Sequence, residues 1–210
     1  SLSRLEPQII QLHGSSQTEI KGLQISSEEQ QIATHSLVRF DGPGGCLNQL
    51  QKAAANKSSH SIFNGIIKVP RIAQKTNASQ LSRNLLLSNL ARIDTKPELE
   101  IIADDVKCAH GATVSQLQEE EVFYMRSRWI TVEQATSLLL KGYCQEIIDS
   151  LPADASRWDL LNTIVNSFNE WLSIINASAL GYCKSISSTL FLPVAETPLI
   201  YGILNFEQYS

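Results

Sequence analysis

The stretch ADDVKCAHGATVSQLQEEEVFYMRSRW, residues 103–129, decides the fold because the chain changes within it from an extended to a helical pattern. Side chains of an extended chain alternate between two faces, so Cys108 and His110 point the same way. Lys107 and Ala109 point the other way. The stretch therefore predicts a thiol and an imidazole on one surface of a strand.

The second half of the same stretch predicts a helix. Thr113 or Ser115 can cap its N-terminus, and Gly111 can relax the backbone just before the cap. The glutamates at 119–121 favour the first helical turn through the helix dipole, and we prefer this interpretation to an acid-base pair. We expect the strand to end close to residue 114.

Short segments of alternating apolar and polar residues fill residues 4–40, separated by clusters of Gly, Ser and Pro. Evenly spaced short strands without a long helix are typical of a sandwich, a barrel or a solenoid, and the pattern alone does not choose. Residues 74–88, QKTNASQLSRNLLLS, are rich in amides and hydroxyls. Because buried amides are normally paired, we expect them to have a structural role.

Two local patterns give further expectations. Leu47–Asn56, LNQLQKAAAN, could form a short helix. Ser61–Pro70 is predicted to form two strands joined at Asn64-Gly65, a strong turn pair.

After residue 114 the periodicity is helical. A first helix precedes a second that begins at Thr131, with Gln134 at the capping-box position, and that runs to Leu151. A heptad-like stripe predicts another helix over residues 156–182, either packed on its own domain or on a partner. Residues 187–210 are expected to be irregular or to form a short strand.

Composition and charge exclude several classes of protein. The net charge of −4 and pI near 5.6 leave no basic footprint for nucleic acid or an acidic membrane surface. No run reaches the roughly 18 apolar residues of a membrane span. The motifs of serine hydrolases, P-loop proteins, zinc peptidases and dinucleotide-binding enzymes are missing from the sequence, so we do not expect an enzyme.

The four cysteines lie far apart and show neither a zinc-site spacing nor a disulfide framework. No signal pattern opens the sequence, so we expect a reduced compartment, the cytoplasm or, in a eukaryote, the plastid stroma. His13, His35 and His60 are isolated, and we expect them to be surface or hydrogen-bonded residues.

The residues from Asp104 to Thr113, followed by Phe123-Tyr124 and Ser127-Arg128, resemble SufD, a family of scaffold subunits in the SUF iron-sulfur cluster assembly machinery. The same family pattern is followed upstream, in order, by Phe63-Asn64-Gly65, Gln74, Asn77, Gln80, Leu81, Arg83–Ser88 and Asp94–Ile101. The related subunit SufB has His-Glu-Ala where this chain has His110-Gly111-Ala112. The resemblance covers about residues 4–151, which would be the second half of a typical SufD.

This resemblance implies a mainly β fold with C-terminal helices. Over Leu47–Asn56 it implies a loop and strand, in place of the short helix that the local pattern allows. The expected domains are a partial right-handed parallel β-helix, or β-solenoid, over residues 1–114 and a helical domain over residues 115–151. An extra helix and an unassigned tail would occupy residues 152–210. In the family a glycine stands where this chain has Trp129, at a helix end where a left-handed residue is common.

The resemblance also implies a function. The chain would be a non-catalytic scaffold that pairs with a SufB-like subunit and docks the SufC ATPase through residues 115–151. Cys108 and His110 would face SufB and take part in forming a nascent iron-sulfur cluster. Two ligands on one strand cannot close a coordination shell, so we expect the isolated chain to bind neither metal nor cofactor.

Two alternatives stay open at this point. The chain could be a truncated or degenerate SufD copy without an assembly function, or a plain protein-interaction module. From the residues alone, Cys108 could be a small buried hydrophobe and His110 a hydrogen-bonded strand residue.

Overall fold

The computed structural model describes residues 2–117, 119–150 and 188–194, which form ten strands and two helices. The strands are β1 Leu2–Leu5, β2 Gln8–Gln11, β3 Gln17–Ser26, β4 Gln31–Phe40, β5 Cys46–Ala55, β6 His60–Val69, β7 Asn77–Leu86, β8 Arg92–Ile101, β9 Lys107–Gln116 and β10 Ser188–Val194. The helices are α1 Glu119–Arg126 and α2 Val132–Ile148. One compact unit contains all the strands, and a second contains both helices.

The strands form a β-solenoid of about four turns, which confirms the expected fold class. Strands of one sheet begin at residues 17, 46, 77 and 107, a step of 29 to 31 residues. The first sheet has the order β1 and β2, β4, β6, β8, and the second has the order β10, β3, β5, β7, β9. Each turn thus contributes to both sheets, and pairing is parallel from β3 to β5 to β7 and from β4 to β6 to β8.

Strict alternation of side chains builds the solenoid core. In β6 every second residue from Ser61 to Val69 is buried, while the residues between them are half-buried. Phe40, Phe63 and Ile67 are among the largest side chains that are fully buried. Since successive side chains of a strand point to opposite faces, these residues fill the space between the two sheets.

Buried amides also cross this interior and link one turn to the next. Gln80 Nε2 donates to Gln49 Oε1 at 2.9 Å, and Gln49 Nε2 donates to Ser36 Oγ at 2.9 Å. Gln51 Nε2 donates in the same way to Gln24 Oε1 at 3.0 Å. The structural role expected for the amide-rich residues 74–88 is therefore confirmed for Gln80.

Two expectations drawn from local pattern alone were wrong, and over residues 46–55 the structure agrees with the strand that the family resemblance implied. Residues 46–55 form strand β5, paired over its whole length with β3 and β7, rather than a helix. Asn64-Gly65 is not a turn, because β6 runs unbroken through it. A Cβ on Gly65 would lie 2.3 Å from Gln80 Nε2 and 2.6 Å from Phe63 Cζ. The glycine makes room for these side chains inside the solenoid.

The corners of the solenoid repeat a backbone conformation that the sequence does not reveal. Ser15, Gly44 and Lys75 occupy equivalent corners with φ values of 60°, 70° and 62°. Each donates its amide to the following turn, to the carbonyls of Pro43, Gln74 and Asp105 in that order, at 2.6–2.8 Å. Stacked left-handed residues therefore hold the corners together.

The helical unit confirms the predicted start of the second helix. Thr131 is the N-cap of α2, and its hydroxyl and the Gln134 side chain form a capping box.

Trp129 has φ of +67° and is 97% exposed, as expected for a left-handed residue past the end of α1. Cys144 is buried in α2, whereas Leu138 of the same helix is half exposed. None of the helices described is long and apolar enough to cross a membrane.

The predicted helix over residues 156–182 lies outside the described residues. Within residues 187–210, the short strand β10 is the described part.

Candidate functional site

Strand β9 is the last strand of the second sheet and carries both candidate site residues. It extends to Gln116, two residues beyond the predicted end. Thr113 and Ser115 lie inside it, so neither caps α1, and that expectation was wrong. Their atoms join β9 to the neighbouring strand instead: Asn84 Nδ2 donates to Thr113 O at 2.9 Å, and Ser115 Oγ donates to Asn84 O at 3.2 Å.

Cys108 sits at the start of β9 and packs partly against the solenoid core. Its thiol is half-buried, and burial raises its pKa, while a hydrogen bond with the backbone of Ala78 acts in the opposite direction. The raised pKa favours the neutral thiol over the thiolate. A nearby cation or a bound metal would favour the thiolate, which is the form that binds iron.

His110 follows two residues later and is exposed. Because residues i and i+2 of a strand project from the same face, the Cys108 and His110 side chains leave β9 on one side. The structure thus places the thiol at the margin of the core and the imidazole in solvent. Their role in cluster assembly stays a prediction.

Gly111 has a different role from the one predicted. It lies outside the left-handed region, and a Cβ at this position would lie 3.2 Å from Leu81 Cδ1. The residue is therefore small because Leu81 of β7 covers it, rather than because the backbone needs to relax.

The solenoid ends at β8 and β9 without a covering layer among the described residues. Ile101, Ile102 and Val114 are 41–62% exposed there, although they are large and apolar. The next strand position beyond β9 is free in the sheet order of the described strands. The sequence predicts that Cys108 and His110 share a surface. It does not predict the exposed apolar residues near them, because only the stacking of the turns brings those residues to the same end of the solenoid.

Of the other histidines, His13 is exposed at a corner, His35 lines a cavity with Val114, and His60 makes an ordinary ion contact. His60 Nε2 lies 2.7 Å from Asp94 Oδ2, and Arg92 contacts the same carboxylate at 3.0 Å. Burial would raise the pKa of Asp94, but the hydrogen bonds and charges of His60 and Arg92 outweigh it and lower the pKa. Within the described residues, no group of three or more His, Cys, Asp or Glu could hold a metal ion.

These features define a class of protein, a β-solenoid whose last described turn ends in strand β9, with one edge free among the described strands and a thiol and an imidazole on one face. A family described as SUF system FeS cluster assembly, SufBD core domain, matches residues 1–143. The chain belongs to this SufB/SufD family.

Relatives agree with this assignment. A SufBD-family iron-sulfur cluster assembly protein of Synechocystis is 46% identical over 151 residues, which are 72% of this chain and 33% of that protein. The chloroplastic protein ABCI7 of Arabidopsis thaliana is 40% identical over 152 residues, 72% of this chain and 32% of that protein. SufD of Escherichia coli is 40% identical over 116 residues, 55% of this chain and 27% of that protein. The chain thus spans about a third of the length of the curated relatives it matches.

Proposed function

We propose that this chain acts as part of a non-catalytic, SufD-like scaffold in iron-sulfur cluster assembly. In this proposal it pairs with a SufB-like subunit through the β9 end of the solenoid. The nascent cluster is the cargo of that interface, and Cys108 and His110 face it. The cytoplasm, or the plastid stroma, provides the reduced compartment that free thiols need.

The placement of Cys108 and His110 on the open terminal strand is the observation that supports the proposal best. An edge strand of ten residues, free on one side among the described strands, can pair with another chain's backbone, and the exposed Ile101 and Val114 add apolar area beside it. A partner at this end would cover the two side chains at the same time. Such a partner would therefore complete a cluster site that this chain supplies only in part.

The chemistry of the two side chains fits a cluster site whose ligands come from two subunits. Thiolate and imidazole are ligands that iron and its clusters accept, but a cluster needs about four such donors. Burial favours the thiol form of Cys108 by raising its pKa. A partner that brings further ligands or positive charge would favour the thiolate and complete the set of ligands.

The helical unit is the proposed docking element for the SufC ATPase, over residues 115–151. Phe123 and Tyr124 of α1 are 71% and 57% exposed, and Arg128 lies 4.6 Å from the Tyr124 ring centroid. Exposed aromatic residues and arginine are enriched at protein interfaces. This patch supports a protein contact by its composition.

Co-expression with SufB and SufC tests the proposal. We would compare the parent chain with His110→Ala and with the control His13→Ala, which removes an equally exposed imidazole from a solenoid corner. Complex yield is measured by affinity purification, and cluster content by iron and acid-labile sulfide.

We expect His110→Ala to give the normal yield of complex with reduced cluster, and His13→Ala to match the parent in both. Normal cluster content in His110→Ala would remove the ligand role. Loss of the whole complex would make His110 a structural residue, and failure of the parent to co-purify with SufB would refute the scaffold proposal itself.

A further inference from the structure

A column of side-chain amides runs through the solenoid interior in one direction. Gln49 Nε2 donates to Ser36 Oγ at 2.9 Å, and Gln80 Nε2 donates to Gln49 Oε1 at the same distance. Gln49 and Gln80 stand opposite each other in the pairing of β5 with β7. Each amide therefore donates toward the N-terminal turns, and its oxygen is left to accept from the turn that follows.

The oxygen of Gln80 is the unpaired end of this column. Gln80 is 1% exposed, and its Oε1 atom is buried without a hydrogen-bond partner among the described residues. Because Gln49 presents its own oxygen to Gln80, the Gln80 atom that faces it must be the amide nitrogen. The Gln80 oxygen lies on the other side of the amide, where a buried acceptor without a donor destabilises the folded state.

The backbone register of β9 places His110 next in the column. In β5 and β7 the first residue donates its amide to the carbonyl just before the neighbouring strand of the preceding turn, and it pairs with the first residue of that strand. Lys107, the first residue of β9, makes the same bond to Thr76 O at 2.8 Å. Lys107 therefore stands opposite Asn77, and His110 stands opposite Gln80.

An imidazole at this position can complete the column. A neutral histidine has one ring N–H and one ring nitrogen with a free lone pair. A ring N–H that donates to Gln80 Oε1 would fix the tautomer of His110 and leave the second nitrogen free to bind a metal ion. In the structure the ring is exposed and does not bond to this oxygen, so rotation of the side chain is needed to form the contact.

We propose that Gln80 is a positioning residue for His110: its buried amide oxygen accepts one ring N–H and leaves the other ring nitrogen for the cluster. The role toward the cluster rests on the proposed function. The contact itself rests only on the register and on the unpaired oxygen. Removing a hydrogen-bond partner of a metal-binding histidine typically lowers metal affinity about 10–100-fold.

The contact is tested in the full chain without a partner. Gln80→Met removes the acceptor and keeps the length of the side chain. Gln51→Met is the matched control, because Gln51 is equally buried and donates to Gln24 Oε1 at 3.0 Å, but stands opposite Ser82 in β7. NMR of the imidazole nitrogens in isotope-labelled protein reports the tautomer, and the signals missing from His110→Ala are those of His110.

We expect Gln80→Met to move the His110 signals from one dominant tautomer toward a mixture, while Gln51→Met keeps the parent signals. Gln80→Glu retains an oxygen acceptor at this place and should retain the dominant tautomer. Unchanged His110 signals in Gln80→Met, or equal changes in both methionine variants, would overturn the proposal.

A substitution at His110 keeps the test decisive if Gln80→Met does not fold. The variant His110→Gln can donate to Gln80 Oε1 just as Gln80 donates to Gln49. His110→Glu has nearly the same size, but its carboxylate has no donor. The denaturation midpoint of His110→Gln should therefore be the higher of the two, and equal midpoints would overturn the contact.

Co-expression with SufB and SufC tests the role toward the cluster. Gln80→Met should give the normal yield of complex and lower the cluster content about as far as His110→Ala does, whereas Gln51→Met should match the parent. In the His110→Ala background Gln80→Met should have no further effect, because it acts through that residue. Parent-like cluster content in Gln80→Met, or a further loss in the double variant, would overturn the positioning role. Failure of the parent to form the complex would refute the proposed function, while the NMR result would still decide the contact.

Discussion

At the scale of single residues, several positions adopt a left-handed backbone conformation that the sequence does not indicate. Trp129, Ser15 and Lys75 all have positive φ, a region that costs a residue with a Cβ about 1 kcal/mol or more. Only the position of Trp129 was predicted, because a helix end precedes it. The corner residues have no such signal, since Ser and Lys occur in every kind of structure.

Trp129→Gly is expected to raise the free energy of unfolding by about 0.5–1 kcal/mol, because glycine adopts the left-handed conformation without steric cost. Trp129 is 97% exposed, so little packing is lost. Arg128→Gly is the control: Arg128 is outside the left-handed region, and its substitution should lower stability. Chemical denaturation of the three chains measures the effect. A lower midpoint for Trp129→Gly would mean that the indole is packed in solution.

The His60–Asp94–Arg92 cluster predicts a pH dependence of stability. The pKa of Asp94 is lowered in the folded state, so its contribution is present above the pKa of the unfolded chain and is lost as the pH falls through the folded-state pKa. Asp94→Asn should therefore make the unfolding free energy fall less steeply in acid.

Denaturation at a series of acidic pH values, starting just above the ordinary pKa of an aspartate, measures this slope. Asp104→Asn, which removes a carboxylate from an exposed corner position, is the control and should keep the parent's slope. Equal slopes for parent and Asp94→Asn would contradict a stabilising ion cluster.

At the scale of elements, the residue pattern predicted that strands were present, and the family resemblance predicted that they stack in parallel. Alternating apolar residues revealed the strands of residues 4–40, and Thr131 with Gln134 revealed the start of α2. The alanine-rich end of β5 resembles a helix because its small buried residues, Ala53 and Ala55, suit either structure. Only stacking against β3 and β7 makes it a strand, and that tertiary contact has no local signal.

Gly65 gives the element-scale prediction. Gly65→Ala should destabilise the chain by about 1–3 kcal/mol, because its Cβ would overlap the Gln80 amide and the Phe63 ring. Gly142→Ala is the matched control: among the described residues, nothing lies within 4 Å of where its Cβ would stand on α2, so the alanine should stabilise the helix by about 0.5–1 kcal/mol. Opposite shifts of the two denaturation midpoints confirm the prediction, and a neutral Gly65→Ala would mean that the Gln80 side chain can move aside.

At the scale of the whole molecule, the fold class and the family could be predicted, but the organisation of the site could not. The motif around Cys108 and His110 is local, so one sequence was enough to find it. The exposed apolar end of the solenoid combines Ile101 and Val114, which belong to different strands. Only the register of the turns brings such residues together, and composition alone does not specify register.

The whole chain is expected to bind no stoichiometric iron or zinc when purified alone, because Cys108 and His110 are two ligands and a stable site needs about four. Elemental analysis of the purified protein measures the content. One tightly held metal per chain that disappears in Cys108→Ala, but persists in Cys46→Ala, would contradict the prediction.

The pairing of β10 with β3 has a consequence for the time course of synthesis. The paired residues are separated by 163 to 175 positions in the chain, from Ile25 and Ser188 to Glu19 and Val194. At a translation rate of about 5–20 residues per second, the ribosome would complete β3 roughly 8–35 s before it completes β10. During that interval the turns from β3 to β9 can already stack, while the residues of β3 that pair with β10 lack this partner. The antiparallel pair can therefore form only after β10 has left the ribosome, when the parallel turns are already in place.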